Sequence, residues 1–303
     1  MIDSELNKKL INLDAAVINA LNLFIEQKVP DLDFSSFKRP IVLGSGNAAV
    51  TGRILMNHHD AVFADESTYE EKIRNFQGID GAILISASGE KHSPILARRL
   101  NELGLPIKFL TTNPNSSTNG FIKPENMFVF PKNPEAYTYN TSTYMGMMLG
   151  KTNENPKQIL DFIREQIDPI IPDDLSNFDS IYIIVPEKFD PIREMFLTKF
   201  DELFGSKISG RVFTMEQTRH GKTVVPNDGE LFVGLGVDNS IFGQHKFNIP
   251  LPPDAGFATM MAIGYYFIGQ IQKQNPPYFK ENIGSYAEFA SKSFGSNISP
   301  VVE

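Results

Sequence analysis

The sequence predicts an α/β protein made of two three-layer units, each a parallel sheet between helices. Three observations lead there. Short, wholly apolar runs alternate with stretches of helical spacing, the pattern of strands covered on both faces by crossover helices. The series runs once before residue 150 and again after residue 180, so the halves read as two copies of one plan. At about 150 residues per domain, a chain of 303 residues has room for two cores.

The first element is a helix. Leu6, Leu10, Leu13, Val17, Leu21 and Phe24 recur at three- and four-residue steps, Asp3 or Ser4 stands ready as cap, and Pro30 lies beyond the stop. Strands are expected at Ile41-Val42-Leu43, Ala61-Val62-Phe63, Ala82-Ile83-Leu84-Ile85, Ile107-Lys108-Phe109-Leu110 and Met127-Phe128-Val129-Phe130. Helical spacing fills the intervals between the first four, as with Ile95, Leu96, Leu100 and Leu103. The polar stretch Lys151-Thr152-Asn153-Glu154-Asn155-Pro156 then divides the chain into an N-terminal domain, 1–152, and a C-terminal domain, 153–303. Beyond it come a helix through Ile159, Phe162, Ile163 and Ile167, a strand at Ile181-Tyr182-Ile183-Ile184-Val185, and a helix through Phe196, Phe200 and Leu203. Two further strands, Val212-Phe213 and Leu231-Phe232-Val233-Gly234-Leu235, complete the second series.

Residues 255–272 carry no charge and approach the ~20 residues of a membrane span. Gly256, Thr259, Gly264, Tyr265, Tyr266, Gly269 and Gln270 make the stretch too polar for lipid on every face, so a buried core helix is expected.

Composition narrows the function. The absence of cysteine excludes disulfides, thiolate metal sites and cysteine nucleophiles. Twenty-eight basic against 36 acidic residues give a net charge of −8, which offers no electrostatic reason to bind nucleic acid or anionic lipid. Met1-Ile2-Asp3-Ser4-Glu5 lacks the layout of a secretory signal, and a cytoplasmic protein is expected. No histidine pair has metal-ligand spacing with a carboxylate, so neither a metal nor another cofactor is expected.

In parallel sheets ligands bind where strands end and helices begin. The first strand exits into Gly44-Ser45-Gly46-Asn47, where two glycines let the backbone turn sharply and approach a ligand. The third glycine of a dinucleotide fingerprint is missing, since Gly52 lies too far on. The third strand exits into Ser86-Ala87-Ser88-Gly89-Glu90-Lys91-His92-Ser93-Pro94, which compresses hydroxyls, a glycine, a lysine and a helix start. Such a turn supplies neutral donors and a countercharge for a phosphate; Ser88 or Ser93 would equally serve as a plain cap with Pro94 behind it.

These residues resemble a known family. Ile85-Ser86-Ala87-Ser88-Gly89-Glu90, then Leu103-Gly104, then Leu110-Thr111-Thr112-Asn113 and Ser116-Ser117, is similar to the sugar isomerase (SIS) domain, as is Glu135 followed by Asn140-Thr141-Ser142-Thr143-Tyr144. The likeness covers most of residues 40–150 and implies two flavodoxin-like SIS domains, with a phosphosugar site formed by Gly44, Ser45, Gly46, Asn47, Ser86, Ala87, Ser88 and Lys91. Lys91 stands where the family usually has threonine, and Ala48 where serine is common, which lowers the hydroxyl count at the phosphate.

The second half resembles the isomerase domain of glucosamine-6-phosphate synthase. Pro191-Ile192 leads to Lys199-Phe200-Asp201-Glu202, and Glu216-Gln217-Thr218-Arg219-His220-Gly221 follows. The resemblance implies Glu202 as catalytic base, His220 as the group that assists ring opening, and Lys199 as its neighbour. It also matches Lys292-Ser293 and Val302-Glu303 to a C-terminal tail whose lysine reaches the site. A homodimer is implied, with the histidine turn reaching a neighbouring subunit and the sugar phosphate at the domain junction.

Chemistry agrees with these assignments. Shifting a proton between two carbons of an open-chain sugar needs a carboxylate, a ring-opening group and positive charge at the enediolate oxygens. The expected function is therefore a phosphosugar isomerase for an aldose/ketose or amino-sugar 6-phosphate. Without a cysteine nucleophile, nitrogen chemistry would take the form of a deaminase or deglycase. The alternative from another class is a non-catalytic phosphosugar sensor.

Overall fold

A computed structural model of the chain describes residues 10–295 and 297–302. Leu6, the expected cap at Asp3 or Ser4, and Glu303 lie outside the described residues. The leading helix is α1 (Leu13–Glu26), which buries Leu13, Ala16, Val17, Ala20, Leu21 and Phe24 along one stripe. There follow β1 (Pro40–Leu43), α2 (Asn47–Leu55), β2 (Val62–Ala64), α3 (Tyr69–Asn75), β3 (Gly81–Ile85), α4 (Ser93–Glu102), β4 (Ile107–Thr111) and β5 (Met127–Val129). A short strand β6 (Glu135–Ala136) and helix α5 (Thr141–Thr152) come next.

The first sheet is parallel throughout, in the order β2-β1-β3-β4-β5. Every residue of β1 and β3 is buried, which explains why both read as unbroken apolar runs. Ile41, Leu43, Ala82, Leu84, Ile107 and Phe109 meet Leu96, Ala97 and Leu100 of α4 on one face. On the other face α2 approaches through Gly52, where a Cβ would stand 2.6 Å from Val42 Cγ1.

The second half repeats the plan. Its elements are α6 (Pro156–Phe162), β7 (Ser180–Val185), α7 (Arg193–Phe204), β8 (Ser209–Thr214), α8 (Met215–Gly221), β9 (Glu230–Leu235), β10 (His245–Ile249), α9 (Phe257–Gln274), α10 (Tyr278–Phe294) and β11 (Val301–Val302). The second sheet is also parallel, in the order β10-β9-β7-β8. In both sheets the first strand is central, the second lies to one side, and the chain returns to the other. The α/β fold with parallel sheets thus stands as expected.

The uncharged stretch is helix α9, buried at every residue from 258 to 272. No described helix is long and apolar enough to cross a membrane. Among the elements not read from sequence are β10, which contains His245, and α10, which contains Lys292.

The described residues divide into two compact units. One holds 10–22, 133–141 and 154–302; the other holds 23–132 and 142–153. The start of α1 is fixed to α9 within the first of these. Leu13 N–H donates to Gln272 Oε1 at 2.8 Å, and a Cβ at Gly269 would fall 2.0 Å from the backbone nitrogen of Asp14. Gly269→Ala is therefore expected to destabilise the protein by about 1–3 kcal/mol, since the obstacle is backbone and cannot rotate away. Thermal unfolding of the variant beside the parent checks this, and an unchanged midpoint would contradict the close approach.

Candidate functional site

The two turns singled out by sequence leave adjacent strands. β1 and β3 pair in parallel register, Val42 with Ile83 and Leu43 with Leu84, so Gly44 and Ser86 emerge side by side at the carboxyl edge. The first turn is dictated by close approach: a Cβ at Gly44 would lie 2.8 Å from the carbonyl carbon of Ala48 and 2.9 Å from the nitrogen of Ala49. Gly46 has φ +53° and leads into α2, which begins at Asn47. Ser45 is exposed, and its hydroxyl donates to the carboxylate of Glu66. Asn47 Oδ1 is buried without a hydrogen-bond partner among the described residues.

The second turn is held from behind. Thr111 and Thr112 hydroxyls donate to the Ala87 carbonyl at 2.9 and 3.0 Å, Asn113 Nδ2 to the Ser88 carbonyl at 2.9 Å, and Thr118 Oγ1 to the Gly89 carbonyl at 2.6 Å. The Glu90 carboxylate accepts from the Ser117 N–H at 3.0 Å and the Ser117 hydroxyl at 2.7 Å. Ser86 Oγ accepts from the Gly89 N–H at 3.1 Å. Gly89 has φ +69°, and a Cβ there would meet Ser116 Cβ at 2.5 Å. The threonines, asparagine and serines of the sequence motif are thus braces for the turn. Ser88 and Lys91 are left on the exposed side, ahead of α4. No side chain caps the start of α4 among the described residues.

Glu202 and Lys199 lie together in the other unit, on α7. Lys199 is fully buried, and its ammonium donates to the Thr138 carbonyl at 2.7 Å and to Glu202 Oε2 at 2.5 Å. Removing one partner of such a pair strands the other charge, at a cost of about 3–5 kcal/mol. The Glu202 side chain is 21% exposed and borders an open cleft of about 520 Å³ shared with Thr138, Asp201, Lys207, Tyr278 and Tyr286. Burial pushes the Glu202 carboxyl above the usual glutamate value of 4.5, and the Lys199 ammonium pulls it part of the way back.

His220 does not border that cleft. It lies on α8, a short helix closed by a capping box between Thr214 and Gln217. Its side chain is 77% exposed, with Nε2 3.0 Å from Glu216 Oε1. The separation follows from topology. α7 runs back from the carboxyl end of β7 and delivers Glu202 near the amino edge, in its last turn before Gly205 and the connection into β8. α8 starts at the carboxyl end of β8. Lys292, expected in a tail, stands exposed in the last turn of α10, because Phe279, Ile283, Ala287 and Ala290 form a buried helical stripe that carries the chain past it. The segment after α10 returns as β11, pairing antiparallel with β6.

The carboxyl edge of the second sheet is differently furnished. Glu187 and Asp190 follow β7, and Asp238 follows β9. The start of α9 is occupied by the chain itself: the Glu154 carboxylate accepts from the N–H groups of Gly256, Ala258 and Thr259 at 2.9–3.0 Å. Among the described residues no group of three histidine, aspartate or glutamate side chains is placed to hold a metal ion. Sequence reasoning missed Glu66 and Glu154, whose partners are remote along the chain.

No protein-family model matches the chain, and no curated protein sequence matches it. Among solved structures it is similar to glucosamine-6-phosphate deaminase from Thermotoga maritima, with a TM-score of 0.61 at 16% identity over 98% of this chain and 96% of that one. It is also similar to tagatose-6-phosphate ketose/aldose isomerase from Escherichia coli, with a TM-score of 0.56 at 15% identity over 88% and 89%. A third likeness is to the C-terminal domain of glucosamine-fructose-6-phosphate aminotransferase from Francisella tularensis, with a TM-score of 0.55 at 15% identity over 89% and 94%. The chain therefore has the SIS-like fold that these proteins share.

The raised Glu202 value has a consequence for stability. Below pH 4.5 this carboxyl is protonated in both folded and unfolded chains; as pH rises the unfolded chain ionises first. The parent should lose stability relative to Glu202→Gln from that pH upward, until the folded carboxyl has also ionised. Urea midpoints of both proteins between about pH 4 and about pH 8 measure the difference, and a gap that moves in the opposite sense would show that burial does not dominate Glu202.

Proposed function

We propose that the chain is a phosphosugar isomerase, acting on an aldose/ketose or amino-sugar 6-phosphate through an enediol or enediolamine intermediate. One observation carries the reading: the two turns chosen from sequence follow β1 and β3, and in a β2-β1-β3-β4-β5 sheet those strands flank the crevice at which parallel α/β sheets take their ligands. In this reading the phosphate lies against the Ser88–Lys91 side of the second turn and the uncapped start of α4. The backbone of Gly44, Ser45 and Gly46 approaches the sugar, and Asn47 Oδ1 accepts one of its hydroxyls. Glu202 is the proton-transfer group. A carboxyl raised from its usual value by burial holds a proton more readily than an exposed one, which suits a group that takes and returns a proton. Lys199 balances its charge.

His220 assists ring opening. Its exposure away from the Glu202 cleft fits a homodimer in which the imidazole serves sugar held by a second copy of the chain, with Lys292 as a further cation. The names of similar structures, an isomerase and an amino-sugar phosphate deaminase, fall within this chemistry and leave deamination or deglycation as its nitrogen-handling variant.

A second reading has its own support. Glu202 is tied to Lys199, and no imidazole borders its cleft, as would suit a sensor that binds a sugar phosphate without turning it over. Solvent exchange separates the two. The protein in deuterated water should wash out one C1 proton of fructose 6-phosphate, and Glu202→Gln should slow this by about 10²–10⁴-fold, the range of a general base. Undiminished exchange in the variant would remove Glu202 from the reaction. Binding without exchange across a panel of hexose and hexosamine phosphates would establish the sensor.

A further inference from the structure

We propose that Glu66 is the occupancy gate of the β1/β3 turns: its carboxylate reaches Ser45 of one turn and His92 beyond the other, and raises the intrinsic affinity that an anion needs to fill the seat. The inference rests on the reading of these turns as a phosphate seat.

Glu66 follows β2, in a turn that is fixed from below. Asp65 Oδ1 accepts from the N–H groups of Ser67 and Thr68 at 3.0 and 2.9 Å and from both their hydroxyls at 2.7 Å. These four bonds hold the Asp65 carboxyl down at about 2, so the bracket stays ionised across the physiological range. From this fixed turn Glu66 accepts the hydroxyl of Ser45, and its Oε1 stands 3.9 Å from His92 Nε2. Ser45 belongs to the turn whose backbone approaches the sugar in that reading, and His92 immediately precedes α4, where the phosphate lies. The carboxylate thus holds the ground that a phosphate would take between the turns.

Two anions cannot share it. A phosphate docking at the start of α4, beside His92, must displace Glu66 or tolerate its charge a few ångströms away, and either lowers the affinity of every phosphate by a similar factor. The same factor leaves the ratio of affinities unchanged, but it takes the weaker ligand below useful occupancy first. Inorganic phosphate has only its own oxygens with which to bind. A sugar phosphate adds hydroxyl contacts, such as one to Asn47 Oδ1, and keeps useful affinity after the same loss. Glu66 would in this way keep the seat clear of free phosphate while admitting the ester.

Glu66 is one-third exposed, so its replacement leaves the core untouched. The test titrates inorganic phosphate and fructose 6-phosphate calorimetrically onto the parent, Glu66→Gln and Glu66→Ala. Both variants are expected to bind inorganic phosphate about tenfold more tightly than the parent, as loss of a nearby like charge predicts. Glu66→Ala separates loss of charge from gain of a carboxamide donor; tightening in Glu66→Gln alone would overturn the gate. Unchanged or weaker phosphate binding in both variants, with fructose 6-phosphate still bound by the parent, would overturn it too and leave the seat standing. Failure of all three proteins to bind either ligand would remove the seat, and the gate with it.

Discussion

The pairing of β1 with β3 is the constraint from which the candidate site follows. Two parallel neighbours cannot be joined by a hairpin, so each must leave the sheet at the same edge and pass into a crossover helix. β2 lies on the far side of β1, so the chain departs from β1 in one direction and from β3 in the other. The turns into α2 and α4 therefore start side by side and diverge. What the crevice between them contains is a matter of side chains, but its existence is a matter of hydrogen-bond register between Val42 and Ile83 and between Leu43 and Leu84.

Given that crevice, most of the polar sequence around it is occupied in holding shape. The Ala87 carbonyl accepts two threonine hydroxyls, the Gly89 carbonyl a third, and the Glu90 carboxylate a serine N–H and hydroxyl. Such groups would otherwise be left unsatisfied on partial burial, and each would carry a desolvation cost. The hydroxyl-rich segment after β4 is therefore legible as part of the turn before α4, and a count of serines and threonines overstates the donors available to a ligand. A similar economy governs the other unit, where the buried Lys199 ammonium is satisfied by a backbone carbonyl and by Glu202.

How much of this could be read from the sequence depended on distance along the chain. β1 and β3 were legible because both faces are buried and the runs are uninterrupted. α9 was legible because polar residues interrupt its uncharged stretch on every face. β10 was not, since Lys246 and Asn248 point to solvent from an edge position and break the apolar pattern that marked the other strands. α10 does carry a signal, the helical stripe of Phe279, Ile283, Ala287 and Ala290, in a stretch whose end, Lys292-Ser293, the resemblance assigns to a C-terminal tail. In the site, Gly44 and Gly46 were legible because a tight strand-to-helix turn is a local demand. Glu66 was not: its partner Ser45 is 21 residues away, and nothing in either neighbourhood marks them as a pair.

Two internal carboxylates mark where the two copies of the plan part company. At the start of α9, Glu154 accepts three backbone N–H groups and lies half-shielded, so the chain's own anion satisfies donors that would otherwise face a ligand. Such a group cannot leave without orphaning several amides at once, and it functions as part of the fold. Glu66 contacts the first turn through a single hydroxyl and the second only at 3.9 Å. It can be displaced for the loss of one hydrogen bond to an exposed serine, which water replaces at little cost. The same chemical group is thus held by three amides at one helix start and by a single hydroxyl beside the other. That difference in how firmly each acid is held, more than any difference in sheet topology, is why the anion seat is proposed on the first sheet and not the second.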